Sequence, residues 1–202
     1  MRIALIDYGI GNLRSVQKAL EHVGADVQLT ENAATILAAE KVVLPGVGAF
    51  GDGMKGLRAR GLAEVVREVV ARRKPLLGIC VGMQVLFEAS EELGEHAGLG
   101  ILPGRVKRFS SSLNLKVPQT GWNKIAPCIE NPLLAGLPRG AYAYFNHSYY
   151  CEAYTEHTLA TTDYGGAYAS VVGRGNVYGI QFHPEKSQHV GLLLLKNFVE
   201  KC

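Results

Sequence analysis

From Ile3 to Ala89 the chain alternates short apolar runs of β character with helix-spaced stretches, and no other feature constrains its fold as much. Ile3 to Ile6 reads as a buried strand that ends at Asp7-Tyr8-Gly9-Ile10-Gly11. Leu13, Val16, Gln17, Leu20 and Val23 follow at helical spacing, with Gly24 as the stop. Ala25 to Leu29 reads as a second strand, and Lys41 to Leu44 as a third, broken by Pro45-Gly46. Leu57 to Arg73 is expected to be one helix, with Leu62, Val65, Val66 and Val69 toward a core. Leu76 to Ile79 is the fourth strand, and Met83 to Ala89 is expected to open another helix. Strand and helix in alternation, with short connections, require a mainly parallel sheet covered on both faces and wound with right-handed crossovers.

The second half has a different texture. Between Arg105 and Tyr178 come short runs rich in Val, Ile, Tyr and Thr, separated by Gly, Pro and Asn turns. Ala141 to Phe145, Leu159 to Thr162, Ala167 to Val172 and Asn176 to Phe182 are expected as antiparallel or mixed strands flanking the parallel core. A closing helix over Val190 to Glu200 would pack through Leu193, Leu194 and Phe198. With 202 residues, 48% of them apolar, and no repeat or linker, the expectation is a single α/β domain over residues 1–202.

Charge and hydropathy narrow the function. The net charge of +3 is spread over mixed acids and bases, with no basic stripe, so no nucleic-acid partner is expected. Uncharged apolar runs fall short of the roughly 20 residues that span a bilayer, and the opening Met1 to Asp7 lacks the features of a signal peptide. No membrane association and a cytoplasmic location are therefore expected. The four cysteines, Cys80, Cys128, Cys151 and Cys202, form no C-x-x-C pair and read as reduced thiols.

Cys80 has a distinctive setting. A buried strand runs into Gly78-Ile79-Cys80-Val81-Gly82, and a helical pattern follows at once, which is a nucleophile elbow with Cys in place of Ser. Such a turn holds the sulfur above the sheet at the start of a helix, where the peptide dipoles favour thiolate. It also aims the Val81 N–H at the place where an oxyanion would form. Gly179-Ile180-Gln181-Phe182-His183-Pro184-Glu185 supplies the partner elements. In extended backbone, residues i and i+2 share a side, and Pro184 disfavours helical geometry at His183. His183 and Glu185 so placed form a base and its orienter, which completes triad logic with Cys80 as nucleophile. A zinc site at Cys80 and His183 fails for want of further ligands at metal spacing. No metal or cofactor is expected.

Leu44-Pro45-Gly46-Val47-Gly48-Ala49-Phe50 is dense in glycine and leaves its N–H groups unshielded. It lacks the third glycine of a dinucleotide loop and the Gly-Lys-Ser/Thr of a P-loop. Val47 and Gly48 are instead expected to form the second wall of an oxyanion hole, opposite Val81.

These motifs in order, with Asp7-Tyr8-Gly9-Ile10-Gly11-Asn12-Leu13, Gly121-Trp122-Asn123 and His183-Pro184-Glu185-Lys186-Ser187, resemble the class I glutamine amidotransferases from end to end. Within that family the resemblance is to the glutaminase subunits of imidazole glycerol phosphate synthase. It implies a flavodoxin-like, three-layer fold and hydrolysis of L-glutamine to glutamate and ammonia through a thioester on Cys80. It also implies substrate binding by Gly48, Gln84, Glu92, Ser148 and Tyr149. The implied partner is a (β/α)₈-barrel cyclase that uses the ammonia, docked through Asn12, Trp122 and Lys186, with the glutaminase quiet until the cyclase binds ligand. Trp122 is the sole tryptophan; an interface anchor and a core residue are both open readings of it. Glutaminases of pyridoxal phosphate or anthranilate synthase, and a non-catalytic binding module, remain as lesser alternatives.

Overall fold

A computed structural model describes residues 1–110 and 115–202. The first half runs β1 (Arg2–Ile6), α1 (Leu13–His22), β2 (Asp26–Thr30), α2 (Ala33–Ala38), β3 (Lys41–Leu44), α3 (Phe50–Ala59), α4 (Leu62–Ala71), β4 (Leu76–Ile79) and α5 (Val81–Gln84). The second half runs β5 (Ala89–Ser90), β6 (His96–Ala97), β7 (Gly104–Arg108), β8 (Gln119–Lys124), β9 (Ala126–Pro127), β10 (Tyr142–His147), β11 (Tyr149–Ala153), β12 (Thr158–Asp163), β13 (Ala167–Arg174), β14 (Val177–Ile180) and α6 (Gln188–Lys201).

The main sheet has the order β2-β1-β3-β4-β14-β13-β11-β7-β5-β6, with β12 and β9 continuing from β13. Pairing is parallel from β2 through to β14, so the last strand of the chain closes the parallel block beside β4. Beyond β14 the pairing to β13, β11 and β7 is antiparallel. Strands β8 and β10 form a separate antiparallel pair. The chain steps outward from β1 to β2, then back across to β3 and β4. Right-handed crossovers therefore send α1 to one face and α2, α3 and α4 to the other. Accordingly α1 packs with α6, whereas α2 and α3 pack with α4. The inner strands are buried on both faces: β3 and β4 have no exposed residue, as continuous apolar runs such as Val42-Val43-Leu44 require.

Two helix expectations are corrected. The stretch expected as one helix from Leu57 to Arg73 is two, parted at Gly61, whose φ of 67° is left-handed and interrupts the helical path. The helix expected from Met83 to Ala89 is a single turn that starts earlier, at Val81, and ends at Gln84. The carbonyls of Val85, Leu86 and Phe87 are taken by backbone N–H groups of Leu99, Ile101, Leu102 and Gly100. A tertiary loop thus satisfies the acceptors that a continuing helix would have used. No helix among the described residues is long and apolar enough to cross a membrane.

Candidate active site

The carboxyl ends of β1, β3, β4 and β14 lie side by side, next to the point where strand order reverses, which is where open α/β sheets bind ligands. Each contributes the segment that follows it: Tyr8, the loop of residues 45–48, Cys80, and Gln181 to Glu185. Register sets the neighbours. Ile79 pairs with Ile180 in the parallel ladder, so one residue further Cys80 stands beside Gln181, and the Cys80 N–H donates to the Ile180 carbonyl at 2.8 Å.

Cys80 has φ 55° and ψ −113°, a strained combination for a non-glycine residue and the signature of a sharp strand-to-helix turn. The turn is possible only because backbones meet there without side chains. A Cβ on Gly82 would lie 1.8 Å from the Leu44 carbonyl oxygen, so the elbow and the end of β3 are in direct contact. Gly48 needs glycine for a different reason: its φ is 91°, with open space around it. Since Val81 opens α5, its N–H has no partner within the helix and is available at the elbow. That helix is one turn long, so fewer aligned peptides stand behind the sulfur than the sequence pattern suggested.

His183 is buried, at 4% exposure, and its ring interacts electrostatically with both Cys80 and Glu185. Nδ1 is 3.0 Å from Glu185 Oε1, with the two side chains 5% and 1% exposed. Burial alone would lower the imidazole pKa, but the sulfur and the carboxylate reverse this and hold it up at about 10. The surroundings therefore favour the imidazolium form of His183. The route to it differs from the expected extended run. His183 is extended, at φ −94° and ψ 97°, but Pro184–Lys186 form a 3₁₀ turn that swings Glu185 back under the ring. Gln181, two residues before His183, reaches the sulfur as well, its Nε2 3.8 Å from Cys80 Sγ.

A cavity of about 290 Å³ opens on Cys80. It is lined by Val47, Gly48, Val81, Gln84, Glu92, Ser148, Tyr149, His183 and Lys186 among others, so every residue expected to bind glutamine faces it. Gln84 is 3% exposed and spends its Nε2 on the Tyr149 carbonyl at 3.1 Å and Gln181 Oε1 at 3.2 Å, which leaves its own oxygen for a ligand. Glu92 Oε2 accepts from the Phe50 N–H at 2.7 Å, capping α3, and burial pushes its pKa up. Beneath Tyr149 lies His147, whose ring nitrogens contact the Tyr149 carbonyl at 2.7 Å and the Tyr168 hydroxyl at 3.2 Å. Burial first, and His183 as well, depress its pKa to about 4 against that carbonyl contact, so it is neutral.

The residues expected to meet a partner are more dispersed. Trp122 is 47% exposed, which excludes the core reading; its edge packs on the Tyr144 ring at 6.2 Å. Lys186 Nζ lies 5.7 Å from the same ring, so Tyr144 joins the two. Asn12 is half-buried at the start of α1, and α1 packs against the turn that carries Lys186. Among the other cysteines, Cys151 is buried, Cys128 exposed and Cys202 intermediate, all unpaired.

Sequence reasoning passed over Tyr8, Tyr144 and Gln181 as site residues. Gln181 follows the end of β14, and it is the pairing of that strand with β4 that sets it beside Cys80.

A model of the class I glutamine amidotransferases matches residues 4–202. The imidazole glycerol phosphate synthase subunit HisH of Methanosarcina mazei is 52% identical over 203 residues, covering 100% of this chain and 99% of that protein. The same-named subunit of Symbiobacterium thermophilum is 51% identical over 198 residues, 98% of this chain and 92% of that one. Among solved structures, a glutamine amidotransferase superposes with TM-score 0.75 at 20% identity, over 97% of this chain and 98% of the other, a likeness of fold. The mainly parallel sheet with helices on both faces and antiparallel strands in its second half is the fold expected of that family. By family model and by near-full-length identity, the chain belongs to the class I glutamine amidotransferases and, within them, to the HisH subunits.

Proposed function

We propose that this chain is the ammonia-generating subunit of an imidazole glycerol phosphate synthase, acting in the cytoplasm, and that Cys80, His183 and Glu185 are its catalytic triad. The observation that carries this reading is the placement of Cys80, at a strained elbow, against a His183 whose proton the sulfur and Glu185 together retain. The Cys80 thiolate attacks the side-chain carbonyl carbon of L-glutamine, and the oxyanion that forms is held by N–H groups of Val81 and the Val47–Gly48 loop. His183 gives its proton to the departing nitrogen, releasing ammonia and leaving a thioester on Cys80. Water, deprotonated by His183, then attacks the thioester; the sulfur leaves as thiolate and glutamate is freed.

Gln84, Glu92, Ser148 and Tyr149 face the same cavity and hold the amino-acid end of the substrate. The HisH relatives are named as subunits, which supports a second chain; a (β/α)₈-barrel cyclase docked over Asn12, Trp122 and Lys186 would receive the ammonia. Reorientation of a peptide in the Gly46–Gly48 loop on docking supplies a switch, since Gly48 already holds a left-handed φ. Ammonia release from glutamine, with and without cyclase, in the wild type and Cys80→Ala, tests the reading. Turnover that survives in Cys80→Ala would end it.

A further inference from the structure

We propose that Gln181 is a further donor to the nucleophile, holding the Cys80 sulfur through its side-chain amide and favouring it as thiolate. This rests on Cys80 being the nucleophile. Gln181 is fully buried just past the end of β14, its N–H fixed by the Ser170 carbonyl at 2.9 Å. Its Nε2 lies 3.8 Å from Cys80 Sγ, within the range of an N–H to sulfur hydrogen bond.

An amide could present either end to the sulfur, and the surroundings decide which. The Tyr149 backbone carbonyl can only accept, so Gln84 must turn its Nε2 toward it, at 3.1 Å. The second hydrogen on that nitrogen meets Gln181 Oε1 at 3.2 Å. With its oxygen so engaged, Gln181 has only its NH₂ to offer Cys80. A donor of this kind favours a charged sulfur over a neutral thiol, because hydrogen bonds to ionised acceptors are the stronger ones. Unlike His183, the amide neither takes up nor releases a proton in the cycle. It therefore supports the thiolate both before attack and when sulfur departs from the thioester. Through Gln84, which faces the cavity, the orientation of this donor is tied to the substrate pocket.

The test is the pH dependence of alkylation of Cys80 by iodoacetamide, followed by mass of the Cys80 peptide, in wild type, Gln181→Met and Gln84→Met. Gln181→Met keeps the length and removes the N–H; its pH midpoint should move up by about one unit, with labelling at neutral pH about tenfold slower. Its kcat should fall by a similar factor while KM stays within about twofold. Gln84→Met leaves Cys80's own contacts intact but frees the Gln181 amide to turn, and should move the midpoint in the same direction by less. It covers the case in which Gln181→Met does not fold. Wild-type midpoints in the folded variants would overturn the proposal. A wild-type Cys80 inert to the reagent, or glutaminase surviving in Cys80→Ala, would instead remove the reading on which it rests.

Discussion

The Tyr8 hydroxyl donates a 2.6 Å hydrogen bond to the Pro45 carbonyl, tying the segment after β1 to the loop after β3. Tyr8 is fully buried, and the same hydroxyl sits 2.6 Å from where a Cβ on Gly46 would project. Burial first, and the neighbouring Cys80 second, push the phenol pKa up, so the group stays protonated and remains a donor. It fixes the peptide at which the Val47–Gly48 loop begins. Tyr8→Phe keeps the ring and strands a buried carbonyl, at a cost of about 1–3 kcal/mol in stability. If the loop forms one wall of the oxyanion hole, kcat should fall about tenfold with KM nearly unchanged. Steady-state kinetics with the partner present checks this, and a change confined to KM would contradict it.

Contact between the elbow and the end of β3 leads to a sharper expectation. Gly82 lies so close to Leu44 that a methyl group there would overlap its carbonyl oxygen, and backbone cannot rotate aside as a side chain can. Gly82→Ala should cost at least about 3 kcal/mol, measured by urea unfolding. Gly24→Ala offers the control, since its Cβ would meet nothing within 4 Å and only its φ of 93° is strained. Equal losses at the two glycines would mean that packing at the elbow is looser than it looks.

Much of this geometry was legible in the chain, and most of the parts that were not share a cause. Lys41–Leu44 and Leu76–Ile79 are strands with the bounds their apolar runs give, because a strand buried on both faces has nothing else to be. Strand β8, Gln-Thr-Gly-Trp-Asn-Lys, carries no such run; it exists through its pairing with β10, with Trp122 opposite Tyr144. The short α5 likewise follows from tertiary hydrogen bonds rather than local pattern. The turn that brings Glu185 under His183 is instead closed by local bonds from the Lys186 and Ser187 N–H groups to the His183 and Pro184 carbonyls. Cys80 and His183 stood out because their motifs are local. Gln181 needed the pairing of β14 with β4, a contact between distant segments, before its place beside the sulfur was apparent.

His147 gives the fold a pH dependence of definite sign. Its pKa is about 4 in the folded chain against the ordinary 6.5, chiefly because it is buried. Between those values the unfolded chain binds the extra proton, so the contribution is fully present above about pH 6.5 and is lost as pH falls through 4. The gap corresponds to about 3 kcal/mol. Urea midpoints measured from pH 7 down to pH 4 should therefore fall more steeply for the wild type than for His147→Gln, which does not titrate. Parallel curves would show that the ring finds a compensating charge.

The proposed docking face and the proposed base are fastened directly to each other. Ser187 Oγ donates to the His183 carbonyl at 2.6 Å and accepts from the Tyr144 N–H at 3.0 Å, while the His183 N–H donates to the Tyr144 carbonyl at 2.9 Å. Tyr144 in turn carries Trp122 and Lys186 against its ring. On the proposed docking, a partner pressing on that aromatic surface would act on a strand directly bonded to the residue proposed as the base. Ser187→Ala leaves the Tyr144 N–H without its acceptor, while the His183 carbonyl keeps its bond from the Lys186 N–H at 3.0 Å. It should cost about 1–3 kcal/mol in stability, and it removes one of the ties without altering the exposed face. Partner affinity, measured by calorimetry, should change less than about threefold, while partner-stimulated turnover should fall by about tenfold or more. If affinity and stimulated turnover decline together, the surface serves only to hold the partner, and activation reaches His183 by another route.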